Sequence, residues 1–436
     1  MRTNLEDISS VKKKIMVVIE ADNVDKKLDE AYRDVQKKAR IPGFRRGKVP
    51  RYILEKRFAD QVIDDVSTAL VKETFADAIK EIDIVPITEP VLNKETQLRQ
   101  GEDFTYSVTL EVRPTFDLPE YMGIEIEKEK LVVDDQKVND RIEKIREARG
   151  SLSSVEEERP VQKGDFVVVN YEAFDGDVLL EDMTAKGAVI RIGDNRIHSE
   201  FDEALVGATR GDKREVSVVF DENDSRPVLA GKKIRFNVEV VDIKSLDLPD
   251  LDDDFVKQLD PSLKDVEDFK NRVREIITEE EKRRIERETK TKLLESIADK
   301  VDFELPQGVV NNELEAIVSN VKRELVGQGT DLERMGISEE KVREDFRESA
   351  EKRVKNMFIL GEIATRENIE LSDDDVDREL EAIAKTTNQS LETIRKYYEE
   401  NNMMVKLKES LMEAKTLSFL LDNAKIVEKE KTETGE

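Results

Sequence analysis

The residues best suited to make contacts lie between Lys37 and Arg57. Nine basic side chains (Lys37, Lys38, Arg40, Arg45, Arg46, Lys48, Arg51, Lys56 and Arg57) stand there with one acid, Glu55, in a chain of net charge −27. At their centre, Arg40-Ile-Pro-Gly-Phe-Arg-Arg-Gly-Lys-Val-Pro50 sets Phe44 between Gly43 and two arginines, with Gly47 after them. Glycine permits the left-handed backbone of a tight tip, and Pro42 and Pro50 stiffen its flanks. Arginine pairs with phosphate and carboxylate groups, and an exposed phenylalanine fills an apolar crevice. Such a tip suits a folded RNA–protein surface. The same pattern also fits a hairpin turn with Phe44 tucked into its own core, or a merely solvated basic face. The residue types leave these readings open.

Elsewhere the inventory excludes chemistry. There is no cysteine, so no disulfide, thiolate metal site or thiol nucleophile can form. A single histidine, His198, rules out His-rich metal clusters, and a Ser-His-Asp site would have to use it. No metal and no cofactor is implied. The first residues lack the apolar core of a signal peptide, and no apolar run approaches the ~18–20 residues of a membrane span. The expectation is a soluble, cytosolic protein, with neither a membrane nor DNA as partner. The overall acidity opposes free nucleic-acid binding.

The elements that must hold these residues are legible in outline. With 436 residues, the chain is long enough for about three domains. Charged residues make up 40% of it, and Leu, Ile, Val and Phe about 29%. The chain therefore folds, with thin cores and an elongated form expected. Lys14–Ala21 and Phe104–Val112 alternate as strands do, and apolar residues at helical spacing mark 24–40 and 52–82. Pro114 and Pro119 end this α+β unit, at 1–114. Residues 115–150 read as a linker and a helix, with Asp134 or Asp135 as its cap. The apolar face of this helix is too small to keep it folded alone, so it is expected to pack with the C-terminal body. Within 151–245, short β-rich runs alternate with glycine turns; eight of the 18 glycines fall between Gly150 and Gly231. From 246 to 425 the pattern is helical, with Ser372–Asp375 resembling a capping box and one helix expected over Leu391–Ala424. Residues 426–436 read as a disordered polar tail.

The string GFRRGKVP resembles the ribosome-docking signature of the bacterial trigger factors. Residues 101–108 (GEDFTYSV) and 111–114 (EVRP) are similar to the end of that family's N-terminal domain. The order of domains matches along nearly the whole chain. The resemblance implies a multidomain α+β protein: an α+β docking domain, an FKBP-like β-rich isomerase domain, and an all-α body of long helices. It implies docking on the large ribosomal subunit beside the polypeptide exit, against a ribosomal protein and rRNA. It carries docking roles onto Phe44, Arg45 and Arg46, within Gly43, Gly47, Lys48 and Pro50. Nascent and unfolded polypeptides are the implied clients, and the family also admits a homodimer away from the ribosome.

The segment 167–245 resembles an FKBP-type prolyl isomerase. Such a site needs no nucleophile: the X-Pro barrier of about 18–20 kcal/mol comes from amide resonance. An apolar aromatic pocket desolvates the amide and fits its twisted form better than either planar one. Tyr171, Ile197, Phe201, Leu205 and Phe236 fall where the family lines its pocket. The turn at 197–201 departs from it: the usual Ile-Pro-Gly has become His198-Ser199-Glu200, and a customary tyrosine is replaced around Asp224. A carboxylate and an imidazole at an apolar rim weaken its hold on a prolyl ring, so weak or absent activity is expected. His198 is read as an incidental rim residue.

A client surface without a sequence code calls for dispersed apolar patches with adaptable side chains. Met357-Phe358 and Met403-Met404 are the candidates. Core filling explains any one of these residues equally well. The preferred reading is a ribosome-associated chaperone that shields nascent chains. A folding enzyme that acts mainly by proline isomerisation and an RNA-binding module are the rivals. The eroded turn argues against the first, and the net charge and lack of stacking aromatics beyond Phe44 argue against the second.

Overall fold

In the computed structural model, residues 1–221, 224 and 229–430 are described. The chain is multidomain and mixes helices with β-sheets, of which the two larger are antiparallel. Its N-terminal part holds β1 (Arg2–Asp7), β2 (Lys12–Ile19), α1 (Ala21–Lys38), α2 (Arg51–Ile82), β3 (Val91–Lys94) and β4 (Phe104–Glu111). The strands form one antiparallel sheet in the order β1-β2-β4-β3. Alternate residues of β2 (Ile15, Val17, Ile19) and β4 (Phe104, Tyr106, Val108, Leu110) turn inward. They meet Val24, Leu28, Tyr32, Leu54, Val62, Val66 and Leu70 of the two helices. This burial is why a pair of helices with thin apolar stripes stays folded.

Next come β5 (Glu125–Glu129), α3 (Asp135–Arg149), β6 (Ser151–Ser154), β7 (Phe166–Asp175), β8 (Val178–Leu179), β9 (Ala185–Arg191), α4 (Ser199–Leu205), β10 (Lys213–Val219) and β11 (Lys233–Asp247). Asp134 caps α3, accepting from the Lys137 N–H at 2.8 Å. The sheet runs β10-β11-β7-β8, with β9 on β7 and β6 on β11. β6 and the end of β11 pair Leu152 with Leu246 and Ser153 with Ser245, so the chain enters and leaves the sheet side by side. Gly150 sits at this neck, where an added Cβ would lie 2.8 Å from Leu246 Cδ1.

The remainder is helical: α5 (Asp253–Leu259), α6 (Val266–Ala298), α7 (Gln307–Gly327), α8 (Glu339–Arg366), α9 (Asp373–Thr387), α10 (Leu391–Glu400) and α11 (Met404–Asp422), followed by β12 (Lys425–Lys429). The capping box at Ser372 is complete, with both reciprocal bonds present. Val138 and Ile142 of α3 pack on Val256, Phe269, Val273 and Ile277 of α5 and α6. At the polar middle of α6, Arg284 binds Glu129, Glu281 and Glu288 at 2.8–2.9 Å, which satisfies a stretch short of apolar residues.

Two expectations are corrected. The helix foreseen over Leu391–Ala424 is two helices, because Asn402 adopts a left-handed φ of 53° and interrupts the ladder. The tail foreseen from 426 begins as a strand. β12 pairs with β5, the Lys130 N–H donates to the Lys429 carbonyl at 2.8 Å, and Lys429 pairs with Glu127. Residues 431–436 lie outside the described residues.

Compactness groups the segments differently from chain order. One unit comprises Met1–Glu125, Lys290–Glu324 and Glu339–Lys425; the other comprises Ile126–Thr289, Leu325–Ser338 and the residues from 426 on. Within the first, Phe116 stacks on Phe303 at 4.2 Å, and Phe303 meets Phe358 edge-on at 6.3 Å. Among the described residues, no helix is long and apolar enough to cross a membrane.

Candidate docking tip and prolyl pocket

The loop between α1 and α2 is anchored at both ends and open at its tip. Ile41 and Val49 are buried in the N-terminal core. Between them the backbone makes two successive turns, Phe44 N–H to the Ile41 carbonyl at 3.1 Å and Lys48 N–H to the Arg45 carbonyl at 2.9 Å. Gly43 and Gly47 take φ of 89° and 79°, with nothing within 4 Å of either added Cβ. Backbone conformation rather than crowding therefore requires glycine at both. Phe44 is 40% exposed, so it is not tucked into its own core. Arg45, Arg46 and Lys48 are exposed, Gly47 and Pro50 half-buried.

The base of the loop is braced by Gln36, Asp29 and Tyr32, which were not singled out from sequence, together with Arg51 and Glu55 of the basic stretch. The Gln36 side chain donates to the Val49 carbonyl at 2.7 Å. Arg51 bonds Glu55 at 2.7 Å, pairs with Asp29 of α1, and lies 4.8 Å over the Tyr32 ring. Burial, then the Glu55 carboxylate, pushes the Tyr32 phenol above its ordinary value. Tyr52, 66% exposed, adds a second open aromatic beside the tip. Its signal in the sequence was a large aromatic in the first turn of α2, off the apolar stripe.

The five residues assigned to a prolyl pocket from sequence come together in the core of the β-rich segment. Tyr171, Phe201 and Phe236 form a triangle of edge-to-face rings with centroids 5.3–6.1 Å apart. Ile197 and Leu205 belong to the same cluster. Phe201, Leu205 and Phe236 are fully buried, and Tyr171 alone is half-open. His198 is the N-cap of α4: its Nδ1 accepts from the Glu200 N–H at 3.3 Å, and its ring meets Phe220 edge-on at 5.4 Å. The stretch read as an eroded turn thus opens a short helix. Asp202, 2% exposed, accepts from the Gly193 and Asn195 N–H groups at 2.8 and 2.9 Å and fixes the turn leading to Ile197. The replaced tyrosine near Asp224 falls in a stretch mostly outside the described residues.

The client candidates divide. Phe358 is buried with Val310, Leu314 and Val354, and Met357 packs on the same cluster. Phe358 is therefore core and not open surface, because α8 turns it towards Phe303. Met404 packs partly on Val376 and Leu380, while Met403 is exposed at the start of α11. Phe346, Tyr397 and Val405 are exposed apolar residues of the helices that sequence reasoning missed.

Comparison with known proteins gives this arrangement a family. Residues 1–145 match the family described as bacterial trigger factor protein, 265–422 its C-terminus, and 157–241 the FKBP-type peptidyl-prolyl cis-trans isomerases. The trigger factor of Geotalea uraniireducens is 34% identical over 99% of this chain and 100% of its own length. That of Syntrophotalea carbinolica is 34% identical over 100% and 99%. A solved structure described as "Promiscuous Substrate Recognition in Folding and Assembly Activities of the Trigger Factor Chaperone" is 22% identical, covering 97% of this chain and 99% of that one, with a TM-score of 0.49. From the relatives that match end to end and the three matching segments, the chain belongs to the trigger factor family of chaperones and carries that family's FKBP-type prolyl isomerase domain.

Proposed function

We propose that this chaperone docks on the large ribosomal subunit beside the polypeptide exit through residues 43–50 and holds emerging chains on its helical segments. The observation that carries this reading is the tip itself. Phe44 stands 40% exposed between two left-handed glycines, on a loop whose ends, Ile41 and Val49, are buried. A protein gains nothing in its own stability from an aromatic held out to water on a braced loop, whereas a partner with an apolar crevice ringed by phosphates and carboxylates does gain from it. Arg45 and Lys48 supply the charge.

The isomerase domain contributes little catalysis in this reading. Its aromatic triangle keeps the apolar environment that favours a twisted prolyl amide. The rim, however, carries an imidazole at 198 and a carboxylate at 200, and polar groups there weaken the binding of an apolar ring. Holding clients on the helices is the main task. The side-by-side pairing of β6 with β11 supports the division 151–245, since excising these residues leaves two ends that a short linker can join.

The test is co-sedimentation with ribosomes of the wild type and of Phe44→Ala, Arg45→Ala, Arg46→Ala combined. The triple variant loses binding and keeps its helical content, since exposed substitutions shift stability by under about 0.5 kcal/mol each. Undiminished co-sedimentation at moderate salt overturns the docking reading.

A further inference from the structure

Arg45 and Arg46 are neighbours with the same charge and comparable exposure, yet their surroundings differ. The Arg46 Nε donates to the Lys37 carbonyl at 2.9 Å. The Arg45 side chain has no hydrogen-bond or ion-pair partner among the described residues. Lys37 lies in the last turn of α1, which ends at Lys38. The last four carbonyls of a helix have no acceptor role within it, and that end carries partial negative charge that favours a cation. Arg46 supplies both the missing donor and the cation. Its stem therefore runs back from the tip to the helix, while Arg45 is left unengaged. Gln36 braces the other strand of the loop from the same last turns of α1, through the Val49 carbonyl.

We infer that the two arginines divide the work: Arg46 is a positioning residue that clasps the loop to the end of α1, and Arg45 is the charge presented to the partner. This rests on the docking reading given above. It differs from a simple cationic patch, in which each charge counts equally. Clasping matters because a loop that must be ordered on binding gives up affinity to that ordering.

Glutamine separates the two roles. Its side-chain amide nitrogen occupies the same position along the side chain as the arginine Nε, so Arg46→Gln keeps a donor to the Lys37 carbonyl and removes the charge. The full-length protein and its Arg45→Gln, Arg46→Gln, Arg46→Ala and Phe44→Ala variants are titrated with purified ribosomes over a range of KCl concentrations. Exchange of the Phe44 and Lys48 amides is followed in the free protein. Arg46→Gln is expected to bind within about twofold of wild type. Its salt dependence and amide protection should be unchanged. Arg46→Ala loses affinity and amide protection together, with the salt dependence retained. Arg45→Gln loses affinity with protection intact, and each phosphate contact removed lowers the slope of log K against log salt by about 0.7–0.9. If Arg46→Gln falls in affinity and slope as Arg45→Gln does, the division is overturned and docking stands. If neither Phe44→Ala nor Arg45→Gln weakens binding, the docking reading itself fails, and this inference with it.

Discussion

Gln36 and Val49 are 13 residues apart, on opposite sides of the exposed tip, and a 2.7 Å hydrogen bond from the Gln36 side chain to the Val49 carbonyl closes the loop between them. The bond is half-buried, at the point where the chain turns from α1 towards α2. Replacing Gln36 by Leu removes it without touching the tip. A hydrogen bond of this kind contributes about 0.5–1.5 kcal/mol net. Ribosome affinity should fall roughly 2- to 10-fold with circular dichroism unchanged. An affinity equal to wild type shows that the tip keeps its shape without this tie.

Asp165 gives a pH prediction with a definite sign. Arg159 bonds both its oxygens, at 2.6 and 2.9 Å, and the Gln162 N–H adds a third bond at 2.8 Å. The arginine first, and then that backbone N–H, hold the Asp165 carboxyl below its ordinary value against the effect of burial. A carboxyl lowered in the folded state stabilises fully above its unfolded pKa of about 3.9 and loses that stabilisation as pH falls through the folded value. Asp165→Asn should therefore unfold more easily than wild type at neutral pH, by about 1–3 kcal/mol. The two should converge in acid below about pH 3.9. Urea unfolding of the isomerase domain followed across this range checks it, and a gap that widens in acid refutes it.

On the proposed function, the polar side chains at 198 and 200 limit proline isomerisation. His198→Ile, Ser199→Pro, Glu200→Gly should raise kcat/KM on a proline-containing peptide, because it removes the imidazole and the carboxylate from the edge of the pocket. Tyr171→Phe should change activity with little loss of stability, since Tyr171 is half-open. Phe201→Ala is an unsuitable probe: Phe201 is fully buried, and its truncation costs about 3–5 kcal/mol. A wild-type rate in proline-limited refolding equal to that of an efficient FKBP-type enzyme contradicts the account of the rim.

The buried and exposed members of the client candidates should separate in two assays. Phe358→Ala opens a cavity beside Phe303 and Val354 and should destabilise the fold by about 3–5 kcal/mol. Met403→Ser should leave stability within about 0.5 kcal/mol and reduce suppression of aggregation, read by light scattering of a refolding client at equal molar chaperone. A Met403→Ser variant as protective as wild type removes that residue from the client surface.

What the sequence determined by itself follows from local physics. The spacing of Val24, Leu28 and Val35 specified a helix, the alternation of Phe104, Tyr106 and Val108 a strand, and Ser372–Asp375 a complete capping box, because each depends on neighbours within a few residues. The tip was legible for the same reason: Gly43 and Gly47 mark backbone turns, and the basic residues stand close in the chain. The break at Asn402 escaped because asparagine tolerates the left-handed region without requiring it. β12 escaped because Lys425–Lys429 forms a strand only where β5 lies alongside. Tertiary structure alone decided that Phe358 faces a core while Phe44 faces water, although the residue type is the same. It also decided that Arg46 turns back to α1 while Arg45 does not. Burial and hydrogen-bond partners depend on groups brought near by the fold, and residue type and spacing along the chain do not record them.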